Sequence, residues 1–174
     1  KIKKAWVPFY SCQTMIQPFY DYGLEVNFYG VGKDLASPIG LPDRLDDCLF
    51  LFVHYFGRYN EAISSYLLVA RTQNTVVIED VVQSCMNSAH GRIGNYVVHS
   101  LRKFLPVPDG AILAGPKSIS INPLPANETF ISLSLLSKIS RAVSDVKDTR
   151  HIALKNRAED VLDDCQAIRE MSSF

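Results

Sequence analysis

The run Leu49-Phe50-Leu51-Phe52-Val53, closing on His54, constrains the fold of this chain more than any other stretch. Its length suits a strand, and a strand that is apolar at every position must be covered on both faces, as in a parallel sheet. Other segments repeat the theme. Ala5-Trp6-Val7 ends at Pro8, Leu24 to Val31 ends at Gly32, and Thr75-Val76-Val77-Ile78 delivers Glu79-Asp80 at its carboxyl end. Tyr96 to Ser100 and Ala111 to Ala114 are two further candidate strands, separated by the turn chemistry of Leu105-Pro106-Val107-Pro108-Asp109-Gly110. Helical patterns fall between the strands. Cys12 to Tyr22 is one, with Pro18 as a candidate bend and Gly23 as its stop. Asn60 to Thr72 is another, with Ala62, Ile63, Tyr66, Leu67 and Ala70 along one stripe. Lys33 to Asp47 carries Pro38, Gly40 and Pro42 and is expected to be mostly loop. After Pro125, Thr129 to Val143 and Thr149 to Met171 read as helices. The second is long and polar over more than half its surface, the pattern of a helix that bridges two domains.

This alternation predicts an α/β fold: a three-layer α/β/α, doubly wound, mostly parallel sheet followed by C-terminal helices. Residues 1–125 are expected to form the core of one large domain, and 126–174 a helical segment leading toward a smaller one. With 174 residues, 47% of them apolar, the chain fills one sizeable core. Its 18 basic and 18 acidic residues balance, so nothing marks it for nucleic acid or an anionic membrane surface. It has no apolar run of about 18 residues and no signal-peptide pattern, which points to a cytoplasmic protein. Cys12, Cys48, Cys85 and Cys165 form no C-x-x-C pair and have no His at ligand spacing. They read as free thiols in a reducing compartment, and no metal site is expected. Asn127-Glu128-Thr129 matches a glycosylation sequon but is more simply a polar helix start. The chain opens on Lys1-Ile2-Lys3-Lys4 without an initiator Met and closes inside a helical pattern at Met171-Ser172-Ser173-Phe174, so both ends read as cut from something longer.

Ligands of open α/β sheets bind beyond the carboxyl ends of the strands. That singles out Pro8 to Cys12, His54 to Gly57, and Asp80 to Ser84. A carboxylate fixed at a strand end, such as Asp80, can accept from a cationic ring nitrogen, cap the next helix or bind a metal, and spacing alone leaves these open. Lys103 follows the strand Tyr96 to Ser100. If it points inward beside other cations, its lowered pKa suits Schiff-base chemistry; the alternative is a surface Lys beside Arg102. His54 at its strand end fits a core or supporting role.

Taken together and in order, these segments resemble the DegT/DnrJ/StrS family of pyridoxal-phosphate (PLP) dependent sugar aminotransferases, of fold-type I. Glu79-Asp80-Val81-Val82-Gln83 resembles the family's E-D-x-x-Q strand end, Gly91 to Gly94 its Gly-rich turn, Ser100-Leu101-Arg102-Lys103 its Ser-to-Lys segment, and Asp109-Gly110 the Gly-rich stretch that follows. Val53-His54-Tyr55-Phe56-Gly57 is similar to its V-H-x-x-G strand end. Val7-Pro8-Phe9-Tyr10-Ser11-Cys12 is similar to its first strand-to-helix turn, and Leu24 to Asp34 to the strand and loop that follow. The likeness covers most of Ala5 to Gly115.

The resemblance implies an enzyme that aminates a keto-sugar, expected to be nucleotide-linked, with an amino-acid donor, in a homodimer. Lys103 would hold PLP as a Schiff base and shuttle protons, Asp80 would pair with the pyridine nitrogen, and Gln83 would bond the phenolic oxygen. Ser100 would reach the phosphate. Cys12 occupies the position of the family's stacking aromatic, so Tyr10 or Phe9 would supply the ring. Asn95 replaces a frequent Asp, the Ser-to-Lys spacing is short, and Pro106-Val107-Pro108 is atypical, all marks of a divergent branch. The helix start that cradles the phosphate in the family lies before the first strand seen here, and the small domain lies after the last helix, so this stretch by itself is expected to bind PLP incompletely. Two alternatives serve the same residues: another PLP reaction, such as a dehydratase or lyase step, and a non-catalytic regulatory or scaffold role.

Overall fold

In a computed structural model of the chain, the described residues are 2–84, 91, 93–116, 120–145, 147–164 and 168–172. They hold β1 (Lys4–Pro8), α1 (Gln13–Asp21), β2 (Glu25–Val31), β3 (Pro38–Ile39), β4 (Cys48–Val53), α2 (Glu61–Ala70), β5 (Val76–Asp80), β6 (Tyr96–Ser100), β7 (Ala111–Ala114), α3 (Glu128–Val143) and α4 (Arg150–Asp163). The chain divides into two compact units. One comprises Lys1–His99 with Ile112–Pro116, the other Ser100–Ala111 with Lys117–Phe174.

Parity along β4 organises the first unit, because successive strand residues point to opposite faces. Phe50 and Phe52 enter a cluster with Tyr29, Val77 and the α2 residues Ile63, Leu67 and Ala70. Leu51 enters another with Ala5, Val7, Leu24 and the α1 residues Ile16 and Phe19. One helix therefore covers each face, and the unbroken apolar run is explained. Phe50 and Phe52 are fully buried, worth roughly 2–3 kcal/mol each in area removed from water. Tyr29 stacks on Phe50 at 5.4 Å and donates from its hydroxyl to the Leu51 carbonyl, so its polar end is satisfied within the core.

The strand order is β3-β2-β1-β4-β5-β6-β7. The pairs β1–β2, β1–β4, β4–β5 and β5–β6 are parallel, and β2–β3 is antiparallel. This is the doubly wound, mostly parallel α/β sheet that the sequence predicts. From β1 the chain goes to β2 on one side and returns to β4 on the other, so the sheet has a topological switch point between β1 and β4. The expected loop from Lys33 to Asp47 contains the two-residue β3, which pairs Ile39 with Gly30 and Pro38 with Val31.

In the second unit α3 and α4 pack through Phe130, Ile131 and Ala158, flanked by Leu133, Val161 and Leu162. Asn127 caps α3, its Oδ1 accepting from the Phe130 N–H at 3.0 Å. The helix expected to run to Met171 is shorter, ending at Asp163 with Asp164 as its cap. Asp160, Asp163 and Asp164 crowd the negative end of its dipole, which opposes continuation. Beyond it the backbone pairs elsewhere: the Leu124 N–H donates to Ile168 O and the Glu170 N–H to Leu124 O, both at 2.9 Å. As far as Asp163 the helix packs on α3 within its own unit. No helix among the described residues is long and apolar enough to cross a membrane.

Candidate active site

The carboxyl ends of β4 and β5 are locked by a buried carboxylate. Glu79 is fully buried. Its Oε1 accepts from His54 Nε2 and the Gly91 N–H, both at 2.7 Å. Its Oε2 accepts from the N–H groups of Ile93 at 2.9 Å and Gly94 at 2.8 Å. The Asn60 N–H donates to His54 Nδ1 at 3.0 Å, so the imidazole proton sits on Nε2, facing Glu79. Burial pushes the Glu79 carboxyl up, but His54 and the three backbone donors outweigh it and hold the group at about 2. Gly94 has no substitute here, because a Cβ would lie 2.6 Å from Glu79 Cβ. His54 takes the core role expected of it, stacked on Tyr59 at 5.4 Å.

With Glu79 turned inward, Asp80 points the other way by parity and ends β5 at the rim. It is 8% exposed, and its Oδ1 accepts from the Val82 N–H at 2.8 Å, which fixes the carboxylate against its own turn. Tyr55 stands near enough that burial first, and then the Asp80 charge, push its phenol up to about 12. The neutral Tyr55 hydroxyl donates to Tyr10 O at 2.7 Å, and the two rings sit 5.4 Å apart. That contact ties the loop after β1 to the loop after β4, across the switch point.

The loop after β4 is strained. Phe56 and Gly57 both adopt left-handed backbone, with φ of 53° and 76°. Gln83 holds it there: Oε1 accepts from the Phe56 N–H at 2.6 Å, and a Cβ at Gly57 would lie 3.0 Å from Gln83 O. With Oε1 engaged, the amide presents its donor Nε2. Phe9, Tyr10 and Phe56 are 74%, 57% and 71% exposed, an unusual cost in apolar surface for a loop rim. Cys12 is exposed at the N-cap of α1 and contacts Thr14 Oγ1 at 3.1 Å rather than a ring. Such a rim can hold a flat, partly cationic ring: aromatic surfaces for its face, a fixed carboxylate for its positive edge, an amide donor for an oxygen.

The first unit thus brings together Tyr10, Asp80 and Gln83, with Cys12 at the end of the same loop. Ser100 closes β6, and Lys103 ends the single 3-10 turn Leu101–Lys103, which is held by the Leu101 N–H donating to Gly110 O at 3.0 Å. Both belong to the second unit, where Lys103 is exposed on the wall of a cavity formed with α3 and α4. Asn95, at the position of a frequent Asp in the resembled family, bonds the backbone: its Oδ1 accepts from the Val77 N–H and from Arg71. Glu79, Tyr55 and Phe56 were not singled out from the sequence as site-building residues. The signal for the last two was present in Val53-His54-Tyr55-Phe56-Gly57, where aromatic residues follow a buried strand directly. Arg92, Cys85 and Cys165 lie outside the described residues.

No family model and no curated protein matches the chain. Among solved structures it is similar to a sphingosine-1-phosphate lyase of Burkholderia pseudomallei K96243, at 8% identity and a TM-score of 0.43, over 64% of this chain and 30% of that one. It is also similar to a PLP-bound protein of Clostridium difficile 630 described as an aminotransferase, at 12% identity and a TM-score of 0.47, over 94% of this chain and 47% of that one. The chain spans less than half the length of either. The architecture rests on the strand order itself.

Proposed function

We propose that this chain is the cofactor-binding core of a PLP-dependent aminotransferase of the DegT/DnrJ/StrS type, which aminates a keto-sugar with an amino-acid donor. One observation carries the reading. A nearly buried carboxylate, Asp80, is fixed at the carboxyl end of β5, on the rim that also holds exposed aromatic rings and the anchored amide of Gln83. The ordered motifs around it supply the rest of the support. The residues fit the group in kind, since a pyridinium needs a permanent anion beside its nitrogen and Asp80 is shielded from water there.

Bound PLP supplies an electron sink for the carbon next to the amine. Asp80 would keep the ring nitrogen protonated, and Gln83 Nε2 would donate to the phenolic oxygen. Tyr10 or Phe9 would cover a ring face, beside Cys12. Ser100 Oγ would bond the phosphate. Lys103 Nζ would be the covalent attachment point and afterwards would carry the proton between carbon and nitrogen. The full protein would work as a homodimer in the cytoplasm. Cys12, where the family has a ring, favours the second reading of a non-catalytic relative.

The test is the absorbance of the full-length protein with PLP. A visible band is expected, lost in Lys103→Ala. Asp80→Asn should weaken PLP binding about tenfold or more, the equivalent of one charge-assisted hydrogen bond. Glutamate should bleach the band if the enzyme is a transaminase, whereas a lyase or dehydratase would leave it. A protein that stays colourless with PLP overturns the reading and leaves the non-catalytic role.

A further inference from the structure

The charges of this chain cancel overall, yet one place in the second unit concentrates a single sign. A cavity of about 260 Å³ is lined by Arg102 and Lys103 from the turn after β6, Lys138 and Arg141 from α3, and His151 and Lys155 from α4, with Glu159 as its one carboxylate. Five Lys and Arg side chains thus face one acid. The helices are phased for this. Lys138 and Arg141 are three apart on α3, and His151, Lys155 and Glu159 are four apart on α4, spacings that align side chains on one face.

Part of this charge is anchored. Arg102 Nη1 donates to Glu159 Oε1 at 3.0 Å, and its guanidinium lies 5.8 Å from the Phe130 ring centroid. Lys138 Nζ donates to the Arg102 carbonyl at 3.1 Å, a bond that neutralises nothing. Among the described residues no carboxylate pairs with Lys103, Lys138, Arg141 or Lys155. Lys138 and Arg141 are like charges at helical spacing and repel weakly, a cost that a bound anion would offset. His151 adds a further nitrogen-bearing side chain to the wall, one helical turn from Lys155.

We infer that this cavity binds a phosphate or diphosphate group. Its several donors on flexible stems suit an anion with many equivalent oxygens, and the volume admits two phosphoryl groups. Glu159 serves to hold Arg102 in place rather than to compete for the ligand. The inference stands apart from the PLP reading, because its deciding measurement, pyrophosphate binding, uses no PLP.

Calorimetric titration of the full-length protein with inorganic pyrophosphate should show saturable binding. Arg141→Ser with Lys155→Ser should weaken it about tenfold or more, the equivalent of losing charge-assisted contacts. Both residues are exposed and unpaired, so the fold should be unchanged by circular dichroism. Glu159→Gln, a separate check, should leave pyrophosphate bound. Absence of binding to the wild type, or equal affinity in the double variant, overturns the inference. PLP and pyridoxal then identify the source. If PLP displaces pyrophosphate and pyridoxal does not, the cavity takes a cofactor phosphate; if pyrophosphate stays bound beside PLP, it takes the phosphate of a separate ligand.

Discussion

Glu79 shows how much of the site depends on one buried atom pair. Both of its oxygens accept backbone N–H groups, so an amide in its place would set a donor against donors. Glu79→Gln should therefore cost about 3–5 kcal/mol in urea unfolding, the range for breaking a buried charged network; a loss under about 1 kcal/mol would show that the lock is weak. The sign of the pH effect follows from the depressed carboxyl. Its folded value is about 2 against an ordinary 4.5. The stabilisation is present in full above the ordinary value and is lost as pH falls from about 4.5 toward 2. Wild type should lose stability in that window more steeply than Glu79→Gln, as acid titration followed by circular dichroism would show. The acidic pair 79–80 is visible in the sequence, but the assignment of one carboxylate to the core and the other to the rim is not. That choice is made by the N–H groups of Gly91, Ile93 and Gly94, which reach Glu79 from 12 to 15 residues away.

At the scale of elements, local chemistry was readable wherever a local signal decides the outcome. The start of α2 is an example. Asn60 caps it, with Oδ1 accepting from the Ile63 N–H at 3.0 Å, and its own N–H supports His54. Asn60→Ala should cost about 1–2 kcal/mol by thermal or urea unfolding, and Asn60→Ser should recover most of the loss, since Ser caps nearly as well. Equal stability of all three proteins would remove the cap from the account. The strands β4 and β5 are equally legible, because an apolar run of that length has few other uses. The end of α4 was not. Its apolar pattern continues past Asp163, but the backbone beyond pairs with Leu124, roughly 40 residues earlier, and no local rule foresees that. The two-residue β3 was missed for the same reason, being defined by its partner β2 and by nothing within Pro38-Ile39.

For the whole molecule, the alternation of buried strands and helices was enough to read the doubly wound sheet, and with it the loops that lie at the carboxyl ends of the strands. The sequence did not reveal what surrounds Lys103, a wall of cations drawn from three segments of the second unit. Stability should follow the layering. In hydrogen exchange, the amides of β4 and β5 should be the slowest and those of β3 and β7 the fastest, since the first pair is central and the second pair forms the sheet edges; fast exchange in β4 would contradict the core described above. The proposed PLP role is tested most directly by borohydride reduction of the PLP-loaded full-length protein, followed by peptide mass mapping. The cofactor's mass is expected on Lys103, with labelling strongly reduced in Asp80→Ala. A label on a different lysine, or one that is indifferent to the loss of the Asp80 carboxylate, would contradict it.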